Sequence, residues 1–179
     1  MAGRDASQRD QGRQIGGWLV ILLVIAYAIY RYMKKRNENA KAEQVRALLR
    51  PRINEYTSEG NLSAAKDQYF SSAVEDDTAH GMPPEEIDIN RRRALKFERQ
   101  GRCFLLAATT LEAVIKQPTK AEMIALLERY VLEGGRNQAE QARLYNRTAD
   151  DREKEQIGTK SFQYEFVVRV LNEILAEIK

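Results

Sequence analysis

The chain has 179 residues, of which 43% are hydrophobic, and a formal net charge of +3. The net positive charge comes from residues 1–36, which carry seven Lys or Arg and two Asp. The remainder carries 22 basic and 24 acidic residues. Because the larger part has no basic surplus, it is not expected to bind nucleic acid. A single cysteine, Cys103, excludes an internal disulfide framework.

An uncharged apolar stretch, Ile15 to Tyr30, dominates the N-terminal region. As a helix it would cover about 24 Å, close to the ~30 Å hydrocarbon core of a bilayer. Trp18 lies near one end, and Tyr27 and Tyr30 lie near the other, as is typical of the aromatic belts of a single span. We therefore predict an N-terminal transmembrane helix in contact with membrane lipid.

This stretch has two other interpretations. One is a buried core helix, although core helices rarely lack a polar face over such a length. The other is a cleavable secretory signal, because Ala26-Tyr27-Ala28 has the small-x-small form of a cleavage site. The apolar run continues past that point and a basic cluster follows it, which favours a retained anchor. More basic residues follow the span than precede it, so the positive-inside rule predicts a cytosolic C-terminal part.

The rest of the chain has helical periodicity, and no segment alternates as a strand should. The predicted fold class is all-α. Pro51 should bend or restart a helix, and Asp76 to Pro84 should form a loop. The segment Pro83-Pro84-Glu85-Glu86 should start the next helix. Thr119 and Glu122 have capping-box spacing at the start of a further helix. The predicted divisions are a disordered tail (1–13), a transmembrane anchor with a basic flank (14–36), a helical-repeat domain (37–157) and an amphipathic C-terminal helix (158–179).

The C-terminal helix has the strongest amphipathic periodicity in the chain. Its apolar face includes Phe162, Phe166, Val170 and Ile174. Three interpretations of this face stay open. It caps the helical stack, it docks onto another subunit, or it lies on a membrane surface.

Three glycines share similar surroundings, since an aromatic residue precedes each by four positions. We predict that these glycines end helices, because glycine permits the tight turn between antiparallel helices. The pattern resembles the tetratricopeptide repeat, which implies stacked helical hairpins, and a plain helical bundle is the alternative. The residues expected to pack the repeat are Tyr56, Gly60, Ala65, Phe97, Gly101, Ala113, Gly134 and Ala139.

The segment Gln100 to Val131 resembles the cytosolic receptor domain of the small presequence receptor of the mitochondrial outer-membrane translocase. That resemblance implies an apolar groove for amphipathic targeting helices and a location in the mitochondrial outer membrane, with a bacterial inner membrane as the alternative. The implied groove residues are Leu105, Leu106, Met123, Leu126, Leu127 and Tyr130.

Candidate residues for catalysis are few. His80 is the sole histidine and is expected to be a solvated loop residue, and Cys103 has no nearby histidine to activate it, so it is expected to be a small core residue. The run Arg91 to Arg93 is expected to be a solvated helix face, or a contact for acidic partners or lipid headgroups. The sequence therefore predicts a protein that is not an enzyme and needs no cofactor or metal.

Two functions follow as expectations. The first is a membrane-anchored interaction module that binds a partner protein or an amphipathic helix in an apolar groove, with a protein-import receptor or translocase subunit as its most specific version. The second is a structural accessory subunit of a membrane protein complex, in which Gly16 and Gly17 would allow close approach of neighbouring spans.

Overall fold

A computed structural model describes the backbone of residues 4–179 and the side chains of residues 20–179. Within residues 4–179 the chain forms four α-helices and no strand, which confirms the all-α prediction. The helices are α1 (Arg4–Ala79), α2 (Pro84–Ile115), α3 (Lys120–Arg147) and α4 (Asp151–Ile178). The chain divides into two units, residues 1–41 and residues 42–179.

The first unit contains the predicted tail and anchor. Its described apolar side chains, from Val20 to Met33, are largely exposed. Among the residues whose side chains are described, no helix is both long and apolar enough to cross a membrane. The side chains of residues 1–19 lie outside that range, and these residues include the predicted tail and the first third of the stretch Ile15 to Tyr30.

The second unit is built from two antiparallel helical hairpins. In the first hairpin, the part of α1 after residue 42 packs along α2, so that Asn90 donates a hydrogen bond of 2.9 Å to Asp77. In the second, α3 packs along α4, and the ammonium group of Lys179 lies 2.6 Å from the carboxylate of Glu128. Antiparallel pairing follows from the short connections between consecutive helices.

Local sequence signals set the starts of α2 and α3. Pro84 occupies the first turn of α2, where a backbone N–H would have no intrahelical acceptor, so proline is tolerated there. Two glutamates follow at the positive end of the helix dipole. At α3 the Thr119 hydroxyl accepts a hydrogen bond from the Glu122 amide, and the Glu122 carboxylate accepts one from the Thr119 amide, both 3.2 Å long. Both predicted helix starts are confirmed.

One hydrophobic core joins the four helices of the second unit. Each helix contributes a leucine that is fully buried. These residues are Leu49 of α1, Leu111 of α2, Leu127 of α3 and Leu171 of α4. The core lies at the end of the unit that holds the connection between α2 and α3, and the other end of the unit is less closely packed.

The predicted helix ends at the three glycines are wrong, because Gly60, Gly101 and Gly134 lie inside α1, α2 and α3. Their role is close packing. A methyl group added at Gly101 would lie 3.2 Å from the backbone oxygen of Gly60, and one added at Gly60 would lie 2.7 Å from the Leu105 side chain. Glycine in a helix costs about 1 kcal/mol relative to alanine, and close approach of two helices offsets that cost.

Other predicted breaks are absent, shorter or displaced. The helix α1 continues through Pro51, since burial of Leu49 and Ile53 on either side holds this turn helical despite the missing N–H of proline. The connection after α1 is confined to residues 80–83, where Gly81 has φ of +66°. The helix α4 begins at Asp151, so residue 158 lies within it.

A candidate partner-binding cleft between α2 and α4

A cleft with a volume of about 660 Å³ lies between α2 and α4, beyond the closed core. The two helices run side by side in the same direction here, because Arg99 lies opposite Glu155 and Phe104 lies opposite Phe166. Aromatic and cationic side chains share its lining. The lining residues are Arg92, Leu95, Lys96, Arg99, Gln100, Cys103, Phe104, Glu155, Phe162, Phe166 and Arg169.

The aromatic wall of the cleft consists of Phe104, Phe162 and Phe166, and Tyr56 of α1 supports it through Phe104. The rings of Phe104 and Phe166 meet edge to face with centroids 5.3 Å apart, and Tyr56 of α1 stacks on Phe104 at 6.0 Å. Such pairs contribute about 0.5–1.5 kcal/mol beyond the area they bury. Contacts on both sides of Phe104 therefore hold the wall in place. The third ring of the wall, Phe162, is 51% exposed.

The rim of the cleft is positively charged. Four of the lining residues are Arg or Lys, and among them Glu155 is the sole carboxylate. That carboxylate accepts a hydrogen bond of 2.7 Å from Arg99 across the two helices. The guanidinium of Arg169 lies 5.6 Å from the ring centre of Phe166, a cation–π distance. The rim therefore carries an excess of positive charge directly beside an apolar wall.

Cys103 packs at the base of the cleft and is 2% exposed, which confirms the prediction of a small core residue. Burial raises the pKa of its thiol to about 11, so the thiol is neutral at physiological pH. An uncharged thiol is a poor nucleophile and a poor metal ligand. At this position Cys103 acts as a small apolar residue.

His80 lies in the connection after α1 and its side chain is 71% exposed, as predicted. A hydrogen bond to the Asp76 carbonyl oxygen and the nearby Asp76 carboxylate raise the pKa of its imidazole. Among the described residues, no group of three or more His, Cys, Asp or Glu could hold a metal ion.

The six residues of the implied groove lie in three environments. Met123 and Leu127 are fully buried in the core, and Leu126 and Tyr130 pack against it half-buried. Leu105 and Leu106 on α2 are 36% and 39% exposed. Met123 and Leu127 offer no surface to a partner in this arrangement.

The predicted face of the C-terminal helix is divided between two roles. Val170 and Ile174 belong to the core, whereas Phe162 and Phe166 line the cleft one to three turns earlier in α4. The sequence identified this stripe as a single surface. Its division depends on where the neighbouring helices separate, which periodicity does not report.

The residues expected to pack the repeat also occupy different positions. Tyr56 of α1 stacks on Phe104 of α2. Phe97 of α2 stacks on Phe70 of α1, with ring centroids 5.6 Å apart. A methyl group added at Gly134 would meet Val168 of α4. The three alanines contribute less to packing, because Ala65 and Ala139 are exposed and Ala113 is half-buried.

Several cleft residues were missed from sequence, chiefly Lys96, Arg99, Glu155 and Arg169. The α2 side of the cleft has a sequence signal, because its residues recur at intervals of four and so share one face of the helix. These residues are Arg92, Lys96, Gln100 and Phe104. The opposite wall on α4 has no local signal, since its partner helix lies more than 50 residues away in sequence.

Comparison of the chain with protein-family models, curated proteins and solved structures finds no match.

Proposed function

We propose that this protein is a membrane-anchored, non-catalytic interaction module. In this proposal the apolar N-terminal part of α1 is held in lipid, and the helical hairpins of residues 42–179 bind a partner protein by surface contact. The observation that carries the proposal is the exposure of apolar side chains all around the helix before residue 33.

Six consecutive apolar residues, from Val20 to Ile25, are each 49–69% exposed. Successive residues of a helix are 100° apart, so these six cover its whole circumference. A helix that is apolar on every side is covered by an environment that surrounds it. At about 1.5–3 kcal/mol for each buried aliphatic side chain, covering these six stabilises the helix by on the order of 10 kcal/mol.

The residues that follow this segment support lipid as the environment. Lys34, Lys35 and Arg36 form a basic cluster directly after the aromatic residues that end the apolar stretch. Basic residues at this depth interact with anionic headgroups, at about 1 kcal/mol for each cation. The same cluster supports a cytosolic position for the second unit.

The positions of the thiol and the imidazole support a role without catalysis. Cys103, the sole thiol, is buried with a raised pKa, the opposite of the lowered pKa that activates a nucleophile. His80, the sole imidazole, is in an exposed connection, away from the α2–α4 cleft.

The most specific version, from the resemblance described above, is a protein-import receptor or translocase subunit of the mitochondrial outer membrane. Targeting helices for such receptors are basic, and the positive rim of the α2–α4 cleft repels a basic helix. This version therefore requires a different binding surface, such as the exposed pair Leu105 and Leu106 on α2.

A structural accessory subunit is the second candidate. It is favoured by the same apolar helix, because neighbouring protein spans can surround residues 20–25 as well as lipid can. Purification separates the two functions. A stoichiometric partner that stays bound in detergent and high salt supports the structural role, and its absence supports the receptor-like role.

The anchor is tested by flotation of the full chain with liposomes. We expect the wild type to float and to resist alkaline extraction, and Leu22→Arg with Ile25→Arg to stay in the dense fraction, because each arginine at mid-span costs about 2.5–3.5 kcal/mol. The matched control is Tyr69→Arg with Leu132→Arg, which changes two exposed apolar residues of the second unit and should float. Flotation of the Leu22/Ile25 variant like the wild type would refute the anchor.

A further inference from the structure

We infer that the α2–α4 cleft is the docking site for an acidic amphipathic helix of a partner protein. This inference deepens the proposed function and rests on it. The apolar edge of the incoming helix packs on the aromatic wall of Phe104, Phe162 and Phe166, and carboxylates on its flanks meet the basic rim.

The dimensions of the cleft fit one edge of a helix. On α2 its lining runs from Arg92 to Phe104, which is about 18 Å along the axis, or about three turns. A three-turn helix with side chains is about 10 Å wide and occupies more than ~1,000 Å³. A volume of about 660 Å³ therefore admits the apolar edge and leaves the rest of the helix at the rim. This is the helix-in-groove mode of recognition.

The positive charge of the rim favours a partner with negative charge. Glu155 is engaged by Arg99, and the other lining cations include the exposed Lys96 on α2 and Arg169 on α4. The Arg169 guanidinium lies over the ring of Phe166, beside the aromatic wall. Arg92 pairs with Asp88, but that pair is largely exposed, so solvent screens it and it holds Arg92 only weakly. An acidic partner is attracted and a basic partner repelled, with an effect that salt screens.

The aromatic wall is formed before the partner arrives. Phe104 is held between Tyr56 and Phe166, so docking does not have to order these rings. Phe162 is the exposed ring of the set, at 51%, and gains the most burial when a helix covers the cleft. Aromatic residues of this kind commonly dominate binding energy.

The test uses the full chain in a neutral detergent, which keeps the apolar N-terminal helix covered. The probe is a fluorescent synthetic peptide helix with Leu and Phe on one face and Glu on the other, and the comparison peptide carries Lys in place of every Glu. Fluorescence anisotropy should show at least tenfold tighter binding of the Glu peptide, and its affinity should fall as NaCl is added. Equal binding of the two peptides, or tighter binding of the Lys peptide, would overturn the inference.

Charge reversal in the cleft locates the contact. Lys96→Glu with Arg169→Glu should weaken binding of the Glu peptide at least tenfold and shift preference toward the Lys peptide. The control, Arg136→Glu with Arg143→Glu, makes the same change in net charge at exposed positions of α3 outside the α2–α4 cleft. Equal effects of the two double variants would show that only net charge matters and would contradict docking in the cleft.

A neutral substitution tests the aromatic wall separately. Phe162→Ala should weaken binding of the Glu peptide at least fivefold. The control Leu132→Ala, at an exposed apolar position of α3, should leave that binding unchanged. Both side chains are exposed, so both variants are expected to fold. Unchanged binding by Phe162→Ala would overturn the inference.

Flotation and peptide binding tell the two proposals apart. If the chain floats with liposomes and the peptide does not bind, only the docking inference is refuted. If the peptide binds and the chain does not float, only the membrane anchor is refuted.

Discussion

At Gly101 the close approach of α1 and α2 leaves little room for a methyl group. An added Cβ would lie 3.2 Å from the Gly60 backbone oxygen and 3.3 Å from the Ser63 Cβ. At Gly135 in α3, by contrast, an added Cβ would have no neighbour within 4 Å. The same residue type therefore serves packing at one position and is dispensable at the other.

We predict opposite effects of alanine at these two glycines. Gly101→Ala gains about 1 kcal/mol of helix propensity but forces two backbones apart at a cost of about 1–3 kcal/mol, so the free energy of unfolding should fall by roughly 1 kcal/mol. Gly135→Ala should raise it by about 0.5–1 kcal/mol. Urea titration followed by far-UV circular dichroism in neutral detergent measures both. Equal shifts in the same direction would contradict the packing argument.

A second prediction at this scale concerns Cys103. Burial raises the pKa of its thiol from 9.0 to about 11, so at pH 8 the folded chain should react with iodoacetamide about a hundredfold more slowly than the chain in urea. The neutral thiol contributes fully to stability below pH 9, and that contribution is lost as pH rises toward 11. Labelling at the same rate in both states would show that the cleft base is open to solvent.

At the scale of elements, the end of α2 is held by a side chain from α1. Arg46 donates one hydrogen bond of 3.0 Å to the carbonyl oxygen of Ile115 and another of 2.7 Å to that of Gln117. The last carbonyls of a helix have no intrahelical donor and carry the negative end of its dipole. The guanidinium of a half-buried arginine thus satisfies carbonyl groups at the end of α2, where the sequence offers no C-cap glycine.

We predict that Arg46→Met lowers the free energy of unfolding by about 1–3 kcal/mol, because it keeps the apolar stem and removes charged hydrogen bonds. The control is Arg50→Met, one turn further along α1 at an exposed position, which should change stability by less than ~0.5 kcal/mol. Thermal unfolding measures both. Equal losses would show that the two arginines act only through general charge.

Prediction from sequence succeeded for elements whose signals are local. The capping box of Thr119 and Glu122 and the proline start of α2 act within one turn of chain, so composition and spacing reveal them. Glycine failed as a stop signal, because whether it ends a helix or packs against one depends on a partner such as Leu105, 45 positions from Gly60. The cleft residues on α4, Glu155 and Arg169, were missed for the same reason, because they meet α2 only in the folded chain.

At the scale of the whole molecule, each unit uses apolar residues differently. In residues 42–179 aliphatic residues from four helices form a closed core, and aromatic residues beside it line an open cleft. In residues 20–33 the apolar side chains are left exposed. The proposed function assigns lipid to the exposed helix and a partner protein to the cleft, and the assignment to lipid is the claim on which the account depends.

Trp18 allows that claim to be measured directly, because it is the sole tryptophan and lies within the proposed span. Its emission is to be recorded for the full chain in liposomes whose lipids carry bromine either near the headgroup or at mid-chain. The account predicts blue-shifted emission that is quenched more strongly by bromine near the headgroup, as an interfacial aromatic residue requires. Emission typical of tryptophan in water, unaffected by bromine at either depth, would contradict it.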